Sequence, residues 1–217
     1  MVNQSTIAVA ACLAGILLFP SGVIAHPHVW VAVRSEVQFD AGRLTGVTHR
    51  WTFDELYSTF AVEGLDTNDD GIYDGAELAE LARTNVEGLK EFMYFTRFQI
   101  EGTDQPLAEP VDYHLERAEN GILTLVFTVP LQAPLAIGTL ATTLSVYDES
   151  YYIAFGFNDA KAVTLSAGAP AGCTAEIPPP SAEETGLGEA FGSVGFSGSA
   201  GTDDIPSQTA RITCAAS

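Results

Sequence analysis

The spacing of apolar residues changes period along this chain, and each change marks an element. From His28 to Thr52 it predicts a β-hairpin. Val29, Val31 and Val33 alternate with other residues, Val37 and Phe39 resume the apolar face, and Asp40-Ala41-Gly42 supplies the turn before Leu44 to Trp51 return. Thr52 as N-cap with Glu55 three residues on predicts a capping box. Phe53, Leu56, Tyr57, Phe60, Ala61 and Gly64 then fall on one helical face. After an acidic stretch, Leu78, Ala82, Val86, Leu89 and Met93 repeat the helical period, with Glu80, Arg83, Glu87 and Lys90 towards water. The order is helix, loop, helix.

From Phe95 the period returns to two. Strands are predicted over Phe95 to Glu101, Val111 to Ala118, Ile122 to Val129, Thr142 to Tyr147 and Tyr151 to Phe157. Asn120-Gly121 is a strong hairpin turn signal. Beyond Leu165 come Pro178-Pro179-Pro180 and a Gly/Ser/Ala stretch from Gly186 to Gly201, which can bury little apolar area. The expected fold class is therefore α+β. Residues 26–165 form an antiparallel β-sheet domain with an inserted helix–calcium loop–helix unit, and 166–217 form an extended C-terminal tail tethered by a disulfide.

Composition adds the compartment. Ile7 to Phe19 is apolar but too short to span a bilayer, and Pro20-Ser21-Gly22 breaks it before Val23-Ile24-Ala25. This predicts a signal peptide over residues 1–25, cleaved to expose His26, although the segment before the apolar run carries no Lys or Arg. An apolar first strand, an uncleaved anchor, or lipid attachment through Val9-Ala10-Ala11-Cys12 are the alternatives. The first two would keep the segment, and the last would leave Leu13 to Phe19 exposed after the lipid. No second apolar run is long enough for a membrane helix, so the exported product is expected to be periplasmic and not membrane-embedded. The net charge of −19 repels phosphate backbones and anionic lipid, which argues against nucleic-acid partners. It suits a protein that attracts cations, or one that merely stays soluble. With Cys12 removed, Cys173 and Cys214 remain, and a lone pair in an oxidising compartment predicts a disulfide. A two-thiolate metal site competes, but no Cys-x-x-Cys or adjacent His accompanies either residue.

The acidic stretch carries the most specific chemistry. Calcium takes six to eight oxygens, and a twelve-residue loop supplies them from positions 1, 3, 5, 7, 9 and 12. Here those are Asp66, Asn68, Asp70, the Ile72 carbonyl, Asp74 and Glu77, with Gly71 at the sharp turn of position six. Position eight is Tyr73, and no second loop is present to pair with. A static calcium clip of dissociation constant on the order of 10⁻⁴–10⁻³ M is expected rather than a switch. An acidic surface loop without an ion is the plainer alternative.

The exposed N-terminus would read His26-Pro27-His28-Val29-Trp30. An N-terminal imidazole and its free amine can chelate zinc, nickel, cobalt or copper, with His49, His114 or Asp148 as candidates to complete the set. Idle surface histidines and ordinary strand histidines are the alternatives.

His26-Pro27-His28-Val29, Trp51-Thr52-Phe53-Asp54-Glu55, the acidic loop, and Ser145-Val146-Tyr147-Asp148 with Tyr151-Tyr152 together resemble an uncharacterised family of bacterial periplasmic proteins. That family is described as the periplasmic component of an ABC-type transport system and is often encoded beside nickel/cobalt exporters. The resemblance runs from His26 to about Cys214. It implies a metal-homeostasis role centred on His26 and His28, with a membrane metal transporter as partner. The expected function is a periplasmic metal-binding accessory protein and not an enzyme. The alternatives are a calcium-stabilised interaction module without a transition-metal role, or a copper histidine-brace enzyme.

Overall fold

The computed structural model describes residues 28–150, 152–179 and 208–215. The predicted signal segment and His26 lie outside the described residues.

The first hairpin forms as its alternation dictates. Strands β1 (Val29–Asp40) and β2 (Arg43–Phe53) pair antiparallel, with Val33 opposite Trp51 and Ser35 opposite His49. Ala41 and Gly42 both take positive φ, as a tight hairpin turn requires. Strand β2 runs through Thr52, so the predicted Thr52 cap is displaced by two residues. Asp54 is the N-cap of α1 (Glu55–Phe60), accepting from the Tyr57 N–H at 2.8 Å, and its other oxygen accepts from the Trp30 N–H at 2.8 Å. One carboxylate thus ties the start of β1 to the start of the helix.

Helix α1 is shorter than its pattern suggested and turned differently. Leu56 and Phe60 are exposed, while Ser58 and Val62 are buried. The reason is a hydrogen bond: the Ser58 hydroxyl accepts from the buried Leu123 N–H at 3.0 Å, satisfying a donor that would otherwise be orphaned. Helix α2 (Gly75–Leu89) buries Leu78, Ala82 and Val86 as predicted. Met93 does not continue that face. A 3₁₀ segment, Lys90–Phe95, follows, and Met93, Tyr94 and Phe95 all adopt positive φ, leaving Met93 exposed.

The remaining strands are β3 (Thr96–Ile100), β4 (Thr103–Asp104), β5 (Val111–Arg117), β6 (Leu123–Leu135), β7 (Thr142–Val146), β8 (Ile153–Gly156), β9 (Val163–Leu165), β10 (Cys173–Glu176) and β11 (Thr209–Cys214). They make two sheets. The first has order β5-β6-β2-β1-β8, with β9 also on β1, and the second has order β10-β11-β7-β3-β4.

Two expectations need correction. The first sheet is mixed, because β8 and β9 run parallel to β1. Strand β7 lies in the second sheet, so the chain re-enters the first by a crossover rather than a hairpin, and nothing obliges antiparallel pairing. The segment 166–217 is not simply a tail. Strand β11 lies between β10 and β7, with Ala210 and Ile212 fully buried. The Cys173–Cys214 disulfide is present and joins directly opposed residues of β10 and β11.

The core is shared by both sheets. Trp51, Phe127 and Phe155 of the first and Phe98, Leu144 and Ile212 of the second are almost wholly buried. Each such side chain contributes about 1.5–3 kcal/mol through removal from water. Among the described residues no helix is long and apolar enough to cross a membrane.

Candidate cation-binding loop and the placement of the histidines

The acidic loop hangs between α1 and α2 and is organised by its own side chains. Asp66 accepts from the N–H groups of Asp70 (3.2 Å) and Gly71 (2.9 Å), and Gly71 takes φ +76° at the turn. Asn68 Oδ1 accepts from the same Asp70 N–H at 2.9 Å, and its Nδ2 donates to Asp70 Oδ2 at 2.9 Å. Asp70 Oδ1 accepts from the Ile72 N–H at 2.7 Å. Positions 1, 3 and 5 of the motif therefore meet around one backbone amide.

Asp74 and Glu77 start α2 with a reciprocal capping box. Asp74 Oδ1 accepts from the N–H groups of Ala76 and Glu77, and Glu77 Oε2 accepts from the Asp74 N–H. The other oxygen of Glu77 reaches back across the loop, accepting from the N–H and hydroxyl of Thr67 at 2.8 and 3.0 Å. Tyr73 packs partly buried against the core under the Arg117 guanidinium, 4.5 Å from its ring centre. The residue that would face a paired loop is thus occupied by the protein's own strand.

Among the described residues no salt bridge reaches Asp66, Asp70, Asp74 or Glu77. Nor do three His, Cys, Asp or Glu side chains of the described residues already converge at metal-holding geometry. The loop carboxylates are turned mostly onto backbone N–H groups, with the Asn68 amide and the Thr67 hydroxyl as further donors. As a donor set, the all-oxygen ligands fit a hard cation.

The histidines are dispersed. His49 is fully buried, with Nδ1 2.9 Å from the Ser35 hydroxyl and Nε2 3.1 Å from the Thr96 hydroxyl. Thr96 gives its own proton to the Tyr94 carbonyl, so it accepts from Nε2–H, and Nδ1 accepts from Ser35. Burial lowers the pKa of His49 to about 3. This neutral imidazole packs 5.2 Å from the Phe127 ring centre and bridges the two sheets, since Thr96 belongs to β3. It is opposite Ser35 in the β1–β2 register, seven residues along β1 from His28, or roughly 23 Å of extended strand. His28 and His49 are not brought together, because alternation turns His49 into the core.

Asp148 is also committed elsewhere. Only 5% exposed, it accepts from the Ser150 N–H and hydroxyl and from the Ile153 N–H, shaping the turn into β8. It lies at the end of the sheet where His28 leads into β1, because β8 and β1 run parallel. His28 is exposed, donates its N–H to the Tyr152 carbonyl at 2.8 Å, and packs its ring, tilted by 37°, with its centre 4.8 Å from that of Tyr152. His114 stands exposed on β5, 3.3 Å from Glu116, whose carboxylate is held in bidentate fashion by Arg50.

One inward-facing residue escaped the sequence pattern. Asn85 sits at the spacing of Leu78, Ala82 and Leu89 on the inner side of α2, a polar interruption in an apolar stripe.

The fold and loop define a class: a disulfide-closed, two-sheet protein with an acidic helix–loop–helix insertion. The chain belongs to the family described as "Protein of unknown function (DUF1007)", which it matches over residues 11–190. That stretch contains the acidic loop and all four histidines and stops short of β11. The chain is also similar to an "Uncharacterized protein" of Haemophilus influenzae, 25% identical over 152 residues that cover 70% of this chain and 72% of the relative.

Proposed function

We propose that this chain is an extracytoplasmic metal-binding accessory protein stapled by one calcium ion in the loop Asp66 to Glu77. The observation that carries the reading is the loop's internal order. Asp66, Asn68 and Asp70 gather on one amide, and Glu77 spans from the first turn of α2 back to Thr67. The ligands would be Asp66, Asn68, Asp70, the Ile72 carbonyl, Asp74 and Glu77. Calcium supplies the countercharge that no side chain gives these carboxylates among the described residues, and it joins the entry of the loop to the start of α2. Tyr73 is held by Arg117 rather than by a second loop, which favours a static staple over a switch.

The transition-metal half of the reading rests on the exposed His28 and on the family resemblance, which brings in nickel/cobalt export and a periplasmic transport component. With His49 in the core and Asp148 saturated by hydrogen bonds, handling of zinc, nickel, cobalt or copper falls to His26 and His28. A membrane metal transporter is the partner this implies. The second reading, a calcium-stabilised interaction module, is favoured by the dispersal of the other candidate ligands. A copper histidine-brace enzyme would need a third histidine across the site, and the burial of His49 argues against it filling that role.

Calorimetry on protein beginning at His26 separates these. Calcium binding in the range of about 10⁻⁴–10⁻³ M, lost in Glu77→Gln, supports the staple. Micromolar zinc, nickel, cobalt or copper binding that disappears in His26→Ala/His28→Ala supports the accessory role. Calcium binding alone leaves the interaction module, and neither binding overturns both.

A further inference from the structure

Between α2 and β3 the chain turns through Met93, Tyr94 and Phe95, consecutive non-glycine residues with φ of 50°, 57° and 46°. Left-handed backbone favours glycine, asparagine or aspartate, and a bulky residue held there costs stability. Burial accounts for Tyr94 and Phe95. They enter the core at 6% and 9% exposure, where the Tyr94 carbonyl accepts from the Thr96 hydroxyl at 2.8 Å and the Phe95 carbonyl from the Tyr147 N–H at 3.1 Å. Met93 is different. It is 61% exposed, and Phe92 beside it is 55% exposed. Neither the left-handed backbone nor the core calls for a methionine at this position. Phe92 is steadied by stacking on Phe95, with 5.1 Å between ring centres and 12° between planes. Phe92 and Met93 together make an apolar knuckle.

Two clefts adjoin the knuckle and share Met93, Thr96 and Arg97 as wall. One, of about 260 Å³, runs to Tyr147 and Ser150, and the other, of about 420 Å³, runs to Pro106 and Leu107. A cavity of about 150 Å³ admits benzene, so each cleft has room for a large side chain. Their rim is acidic. Glu91, Asp104, Glu109 and Glu149 are exposed around them, against Lys90 and Arg97 as the cations. Lys90 is paired with Glu109 at 2.5 Å, while Arg97 is shared between Asp104 at 3.5 Å and Glu149 at 3.6 Å. No ion pair of the described residues reaches Glu91. The surplus charge is negative.

We infer that Phe92, Met93 and these two clefts form a docking surface for a basic polypeptide segment of a partner protein. The segment seats a large apolar side chain in a cleft and sets lysine or arginine against the carboxylates. An apolar centre with a charged rim is the anatomy of a protein interface, and methionine adapts its shape to what packs on it. Charge selects the partner. A second copy would bring the same acidic rim and another net charge of −19, and an anionic membrane would be repelled as well. The surface uses neither the acidic loop nor the histidines, so it stands or falls independently of the proposed metal sites.

The test observes the Met93 methyl group by ¹H–¹³C NMR in protein labelled at methionine. Met1 and Met93 are the methionines of the chain, and Met93→Leu assigns the signal. The probes are the end-blocked peptide Lys-Lys-Trp-Leu-Lys-Lys, the same peptide with glutamate for each lysine, the same peptide with serine for tryptophan and leucine, and vesicles of phosphatidylcholine. The first peptide is expected to move the Met93 methyl signal saturably, and less so as salt is raised. The other three probes are expected to leave it in place. Phe92→Ser is expected to weaken the first peptide about tenfold, the loss of one apolar anchor. An unmoved signal, an equal response to the glutamate peptide, or an equal response to the serine peptide overturns the inference. So does a response to the vesicles, which would make the knuckle a membrane anchor, or a shift with protein concentration alone, which would make it a contact between copies. Equal binding by Phe92→Ser also overturns it, and the probe comparison on the unsubstituted protein decides the matter even if that variant does not fold.

Discussion

His49 gives this fold an acid sensitivity that can be measured at one residue. Its imidazole is neutral in the folded protein, with a pKa lowered by burial from 6.5 to about 3. Well above pH 6.5 neither folded nor unfolded chain protonates it, and its contribution to stability is fully present. As pH falls below 6.5 the unfolded chain takes a proton that the folded chain refuses, so unfolding gains about 1.4 kcal/mol per unit. The loss reaches about 2 kcal/mol at pH 5 and about 4 kcal/mol near pH 3, where the folded imidazole titrates as well. Many carboxylates titrate over the lower part of that range, so the comparison is made against His49→Gln, which keeps a polar group between Ser35 and Thr96 but has no proton to gain. Urea unfolding of both proteins at pH 7.5 and pH 5 gives the double difference in which all other groups cancel. The unsubstituted protein should lose about 2 kcal/mol more than His49→Gln over this interval. Parallel losses would refute the reasoning, for they would mean that the imidazole is solvated or already charged in the fold.

Two further outcomes follow from particular contacts. Replacing both Cys173 and Cys214 with serine releases a bridge across a sequence separation of 41, and urea unfolding should show a loss of about 4 kcal/mol from restored unfolded-chain entropy. Gly46→Ala places a Cβ 2.4 Å from the Val129 carbonyl oxygen and 2.8 Å from Pro130 Cα. Strands β2 and β6 would have to part, and the same assay should report about 3 kcal/mol of destabilisation.

What the sequence made legible was local. The β1–β2 hairpin, the turn at Asn120-Gly121 and the inner face of α2 follow from alternation, turn chemistry and helical spacing, and all are seen. The parallel pairing of β8 and β9 with β1 depends on which sheet β7 joins, a long-range matter that no short window contains. Strand β11 offers a six-residue alternation next to a Gly/Ser-rich stretch, too brief to outweigh its neighbours. The end of α2 was misplaced because Met93 fits the helical stripe, whereas Met93, Tyr94 and Phe95 adopt left-handed conformations that non-glycine residues rarely reveal in sequence.

The candidate site divides in the same way. Ligand spacing in a single loop is local and could be recognised from Asp66 to Glu77. Convergence of His28, His49 and Asp148 needed three-dimensional information, and the fold sends them to an exposed strand start, the core and a tight turn. Asn85 left a trace as a polar residue in an apolar stripe.

The proposed calcium staple is most directly tested by unfolding the protein in urea with chelator and with 10 mM calcium, alongside Glu77→Gln. Any divalent cation screens a chain of net charge −19, so the difference between the two proteins carries the test. With a dissociation constant of about 10⁻⁴–10⁻³ M, calcium should stabilise the unsubstituted protein by about 1.4–2.7 kcal/mol more than it stabilises Glu77→Gln. The substituted glutamine can still complete the capping box with Asp74. Equal stabilisation of both proteins, or none in either, would contradict the staple and leave the loop as a solvated acidic turn.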